Sequence, residues 1–228
     1  MSTAKTGFMR ALAMNEDGPV DVRLIDYYET DSNHPGTSFV ELDPSDPLDI
    51  TSIDLLAVSM LGIPTPPKTI RRLLGHCGHR LDVVNALKSV PDKDLYLADD
   101  QALIHMERLH DAVLRSVQDC AADAVEAEAF AIALCARKRP DLFPLQDPGA
   151  IAFLGLGTSP DQRITWQVMR HVLGDREVLT AIDKLEGAVE LQTSGRVQVE
   201  FSRLRLLLVT LATYASRSTP NHDDVPAR

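Results

Sequence analysis

Three consecutive cations, Arg137-Lys138-Arg139, stand at the end of an Ala-rich run, and Pro140, Pro144 and Asp147 follow them. The two prolines fix a turn, and Asp147 stands at the mouth of the next predicted helix. A carboxylate held beside a basic rim can do two things: the cations contact phosphate, and the acid stabilises a developing positive charge. The same residues also satisfy ordinary helix chemistry, because cations suit a helix C-terminus and aspartate is a good N-cap. Both readings stand on the sequence.

Other reactive side chains are more dispersed. His76-Cys77-Gly78-His79 is the densest group of metal-type ligands, but Cys120 and Cys135 lie on separate predicted helices with no CxxC pair. No metal or cofactor is therefore expected. There is no Gly-x-Ser-x-Gly, and Gly155-Leu156-Gly157 lacks the lysine and hydroxyl residue of a phosphate loop, so it reads as a helix end. His110 falls on an apolar stripe and reads as a core or boundary histidine. The single tryptophan, Trp166, reads as a core anchor.

Charge is unevenly placed. The 228 residues carry 23 Lys and Arg against 33 Asp and Glu, a net charge of −10, and residues 1–60 alone hold three cations against eleven acids. Residues 61–90 reverse the sign, with Lys68, Arg71, Arg72, Arg80 and Lys88 against Asp82. Net acidity thus does not exclude a polyanion, since a local field can oppose the global sign. Arg71 and Arg72 become a second basic edge, and the acidic N-terminal region a cover that could lie over the basic one.

The elements that must position these residues are helical. Apolar spacing predicts helices over Ile50–Leu61, Lys68–Leu74, Leu81–Val90, Asp99–Gln118, Ala121–Arg137, Asp161–Leu173, Asp175–Leu191 and Val199–Arg217, with a shorter one from Asp147 or Pro148 toward Leu154. In the first of these, Ile53, Leu56, Ala57, Met60 and Leu61 share one face, which is the expected inner face. Val22–Tyr28 reads as one or two helical turns. Ser38–Leu42 reads as a short strand or extended arm, and Val197–Phe201 alternates enough for a strand start. The expected organisation is a mostly α, single compact multi-helix domain over 45–217. An extended acidic N-terminal arm over 1–44 precedes it, and a disordered tail over 218–228 follows.

The run Ala136-Arg137-Lys138-Arg139-Pro140-x-Leu142-x-Pro144-x-x-Asp147, with Asp54–Leu61 and Trp166, resembles an uncharacterised actinobacterial family of unknown function over roughly residues 45–215. The middle section is similar in layout to helix-hairpin-helix DNA glycosylases. That resemblance implies a hairpin whose backbone holds a DNA phosphate and an aspartate that assists departure of a flipped base. It places the aspartate at Asp147 and the hairpin near Val125–Ala127, where this chain has no glycine. At the start of the next helix it has Phe130, Ala131 and Ala133 where bifunctional glycosylases have a lysine nucleophile.

The expected function is nucleic-acid association by a degenerate glycosylase-like domain, with DNA or another polyanion as partner. Arg137, Lys138, Arg139, Arg71 and Arg72 would contact phosphate, and Asp147 would be the catalyst if there is one. The rival is a non-catalytic protein-interaction or structural module in which Asp147 caps a helix. A third reading is a small-molecule hydrolase with a pocket between helices. No run of about 18 apolar residues offers a membrane span. The N-terminus leads into no apolar signal region and the three cysteines have no disulfide spacing, so a cytoplasmic location is expected.

Overall fold

The computed structural model describes residues 2–13, 22–28, 34–43, 45–156, 161–193 and 202–218. They form twelve α-helices and, among the described residues, no strand. The helices are α1 (Ser2–Ala13), α2 (Val22–Tyr28), α3 (Pro35–Glu41), α4 (Ser52–Met60), α5 (Pro67–Leu74) and α6 (Gly78–Ser89). They continue with α7 (Asp100–Val117), α8 (Ala124–Lys138), α9 (Pro148–Phe153), α10 (Gln162–Leu173), α11 (Arg176–Thr193) and α12 (Arg203–Ser218). A 3-10 turn at Leu95–Leu97 precedes α7.

Side chains at the N-caps set most of the helix starts. Asp99 Oδ1 accepts from Ala102 N at 2.8 Å, and Asp123 Oδ1 accepts from Glu126 N at 2.8 Å. Asp161 Oδ1 accepts from Arg163 N at 3.0 Å. Each satisfies a backbone N–H that the helix itself leaves unpaired. Pro67 occupies the first turn of α5, where its missing N–H costs nothing. Gly155, at φ +69°, ends α9 in the left-handed conformation that glycine tolerates best.

At the centre α7 packs on α8, with α6 against α7 and α4 against α8. Met106, Leu109 and Val113 of α7 are buried with Ala131, Leu134 and Cys135 of α8. On the other side, α12 packs on α9, α1 and α2, and α11 packs on α1. Trp166 of α10 is buried and meets Phe143 edge-on at 5.5 Å between ring centres, so it is the core anchor its sequence context suggested.

Two expectations are corrected. Most of the described residues of the expected N-terminal arm are helical: α1, α2 and α3 bury Phe8, Leu12, Leu24, Tyr28 and Phe39 in the common core. Ser38–Glu41 belongs to helix α3 rather than to a strand. Pro35 fixes its first turn, and the His34 ring Nδ1 accepts from Gly36 N at 3.1 Å as the N-cap. A Cβ at Gly36 would overlap the Tyr27 ring, so glycine is what lets α3 sit on α2. Residues 197–201, read as a strand start, and the tail from 219 lie outside the described residues.

Candidate functional site

The three cations that end α8 point inward. Arg137, Lys138 and Arg139 are 8%, 5% and 7% exposed. Arg137 donates to the carbonyls of Phe39 and Val40, each at 2.6 Å, and to that of Leu42, which together form the C-terminal end of α3. Lys138 Nζ donates to Asp46 O at 2.6 Å and lies 2.9 Å from Asp54 Oδ2. Arg139 donates to Pro47 O and to Lys138 O, both at 2.8 Å, and more weakly to Leu87 O at 3.4 Å. The partial negative charge at the exposed carbonyls of a helix end offsets part of this buried positive charge.

Asp54 is the carboxylate that completes the cluster. It is fully buried, and its Oδ1 is 3.5 Å from Arg137 Nε. Its Oδ2 also accepts from Thr51 N at 2.8 Å and Thr51 Oγ1 at 3.0 Å, while Thr51 Oγ1 accepts from Asp54 N at 3.3 Å, which makes a capping box at the start of α4. Burial lowers the pKa values of Arg137 and Lys138, and the Asp54 charge beside them acts in the opposite sense. Burial also lowers that of Arg139. The Arg137 and Arg139 terminal nitrogens and Lys138 Nζ all donate to groups of the chain itself, while the buried Nε atoms of both arginines make no hydrogen bond. The geometry ties residues 39–54 to the end of α8 and presents no cationic rim to solvent.

Burying Asp54 fixes the rotation of α4. Leu55, Ala57 and Val58 face inward with it, while Leu56 is 49% and Met60 40% exposed. The face expected from apolar spacing was Ile53, Leu56, Ala57, Met60 and Leu61; Ala57 is buried, but Leu56 and Met60 are exposed, so the helix is turned from that expectation with its carboxylate inward.

Asp147 is the N-cap of α9. Its Oδ1 accepts from Ala150 N at 2.9 Å, turning the carboxylate onto the first turn of its own helix. On the second basic edge, Arg72 donates to Ser116 O at 3.0 Å and pairs with Asp119 at 3.3 Å. Arg71 is exposed on α5 next to Lys68, whose Nζ donates to Asp119 O at 3.2 Å. The proposed hairpin position, Val125–Ala127, is the first turn of α8 behind the Asp123 cap.

The sequence matches DUF6308, a family of unknown function, over residues 21–214. This chain belongs to that family. No curated protein and no solved structure matches it. The DUF6308 match begins well before residue 45, and so takes in α2 and α3 together with the carbonyls that receive Arg137.

A second polar cluster in this DUF6308 chain joins α7, α8 and α10. His110 Nε2 lies 3.1 Å from Glu128 Oε1. Gln146 donates to Gln162 nearby in sequence to Asp147 and at the start of α10. Desolvation raises the Glu128 pKa, but hydrogen bonds from His110 and Gln162 and the His110 charge outweigh it and hold the carboxyl below its usual range. His110 is buried, with its ring 6.0 Å from that of Trp166, as a boundary histidine would be. Its pairing with Glu128 was not read from the sequence. The one available signal was the position of Glu128 on the inner side of the amphipathic α8.

Chemistry elsewhere is sparse. Among the described residues no three His, Cys, Asp or Glu side chains gather as a metal ion requires, and no helix is long and apolar enough to cross a membrane. An open depression between α1 and α11 is lined by Met9, Glu177, Thr180 and Lys184. It contains no nucleophile with an adjacent base, because the Thr180 hydroxyl donates to Arg176 O at 2.9 Å.

Proposed function

We propose that this DUF6308 chain is a non-catalytic helical module that recognises a protein partner through the outer face of α4. The observation that carries this reading is the rotation of that helix. A carboxylate is fully buried on α4 while Leu56 and Met60, one turn apart, are left in solvent. Apolar side chains exposed singly need no explanation, but an aligned pair on a helix held in place by a buried ion pair is suited to contact. Four of the eleven large apolar residues exposed among the described ones, Leu48, Leu56, Met60 and Ile70, fall on or beside α4 and α5.

The nucleic-acid reading is served less well. Arg137, Lys138, Arg139 and Arg72 are engaged within the chain, which leaves Arg71 of the five cations first considered. A glycosylase role would need the Asp147 carboxylate that α9 uses as its cap. A photo-crosslinking residue placed at position 56, in the cells that make the protein, tests the proposal. Covalent protein adducts at 56 well above those at the exposed control position 125 are expected. Equal or absent adducts at 56 would overturn it.

A further inference from the structure

We infer that the occupant of the α4 face is a second copy of this chain, docked with its own α4 antiparallel to the first. The inference rests on the proposed interaction face and adds the identity of the partner.

Two observations point to it. Ile53, Leu56 and Met60 follow the i, i+3, i+7 spacing, so they form one line along a helix about 13 Å long. Opposite charges flank α4 in the sequence. Asp43 and Asp46 are exposed just before α4, whereas Lys68 and Arg71 are exposed just after its connection to α5. Asp49 does not contribute, because Arg80 pairs with it at 2.5 Å.

In a two-fold pairing each surface meets its own copy. An antiparallel crossing brings the acidic end of one α4 to the basic end of the other, and does so twice. A parallel crossing opposes like charges. The acid–base split between residues 1–60 and 61–90 thus becomes a register device for self-association. Local bonds limit each charge: Asp46 Oδ1 accepts from Leu48 N at 2.8 Å, and Lys68 donates to Asp119 O at 3.2 Å. Arg71 is accordingly the main basic contact. So short a helix gives a small interface, which belongs to the weak, reversible class.

Sedimentation of the purified full-length chain over about 1 to 300 μM tests this, with a Kd in the micromolar range expected. Raising the salt from about 0.05 to 0.5 M should weaken the dimer at least about tenfold, since its charge pairs are exposed. Met60→Glu and, independently, Leu56→Lys should be folded by circular dichroism and monomeric throughout. Arg71→Glu should weaken the dimer, and adding Asp46→Lys to the same chain should restore it. A wild-type monomer at every concentration, or a dimer indifferent to both apolar variants, overturns the inference. Crosslinks at position 56 to a protein of another mass, with a monomeric purified chain, would overturn self-association and leave the interaction reading standing. No crosslinks at 56 would remove both.

Discussion

Lys138 Nζ lies 2.9 Å from Asp54 Oδ2 across 84 residues of sequence, and both side chains are buried. This contact joins the end of α8 to the start of α4, and Arg137 and Arg139 extend it to the carbonyls of Phe39, Val40, Leu42 and Pro47. The most conspicuous charged motif of the chain is therefore an internal clamp. Its chemistry is that of a buried ion pair most of whose other hydrogen bonds go to backbone carbonyls.

Removing one partner leaves the other charge buried alone. Asp54→Ala is expected to destabilise the fold by about 3–5 kcal/mol, measured by denaturant unfolding. Asp54→Ala with Lys138→Met should cost less than the sum of the single changes, with a coupling of about 0.5–3 kcal/mol. Strict additivity would show that the two groups do not act as a pair.

Asp147 has a different expected profile. Its replacement by alanine should cost about 1 kcal/mol, the usual loss on removing an N-cap side chain. Asp147→Asn should be nearly neutral, because asparagine caps equally well. Thermal melts of the two variants check this. A loss in Asn as large as in Ala would mean that the charge, not the cap, matters there.

Much of the fold was legible in the sequence, for reasons visible at single residues. Asp147 was read as a helix cap, and the starts expected at Asp99 and Asp161 fall one residue before those observed, whereas the start expected at Ala121 lies ahead of the Asp123 cap. Spacing alone put Leu103, Met106, His110, Val113 and Val117 on one stripe of α7, and all of them but the half-buried Leu103 are buried. The rotation of α4 was not legible. Its spacing puts Leu56 and Met60 on one apolar face with Ile53, Ala57 and Leu61, and a buried Asp54 makes sense only once Lys138 is known to face it. Helix α3 was hidden by its length, since seven residues show no period and Phe39-Val40 suits a strand as well. The inward placement of the three cations was not legible for the same reason as that of α4. Local patterns show that Arg137–Arg139 are charged, but not that the carbonyls of Phe39, Val40, Leu42, Asp46 and Pro47 lie over them.

Acid should reveal the His110–Glu128 pair. The Glu128 carboxyl is held low in the folded chain, so in that range the unfolded chain binds more protons and stability rises with pH. The contribution is present above the unfolded carboxyl value of about 4.3 and is lost as pH falls through the lower folded value. Thermal melts from about pH 7 to pH 3 should fall more steeply for wild type than for Glu128→Gln. Parallel curves would exclude Glu128 as a contributor.

Thiol chemistry should separate the cysteines. Burial, with the Glu128 charge adding to it, pushes the Cys135 thiol far up, so it stays protonated and enclosed. Cys77 and Cys120 are only partly buried. A maleimide should label both in the native chain and reach Cys135 only on unfolding, as read by peptide mass spectrometry. Native labelling of Cys135 at a similar rate would contradict its placement in the core.

The central claim, that the clamp turns α4 so that its Leu56–Met60 edge is an interaction face, is tested most directly by peroxide oxidation of methionines in the unmodified chain. Met60 is 40% exposed, whereas Met106 and Met169 are at 0%. In dilute protein Met60 should oxidise rapidly and the two core methionines slowly. As the protein concentration rises, Met60 alone should become protected. Met60 oxidising as slowly as Met106 in dilute protein would contradict the account.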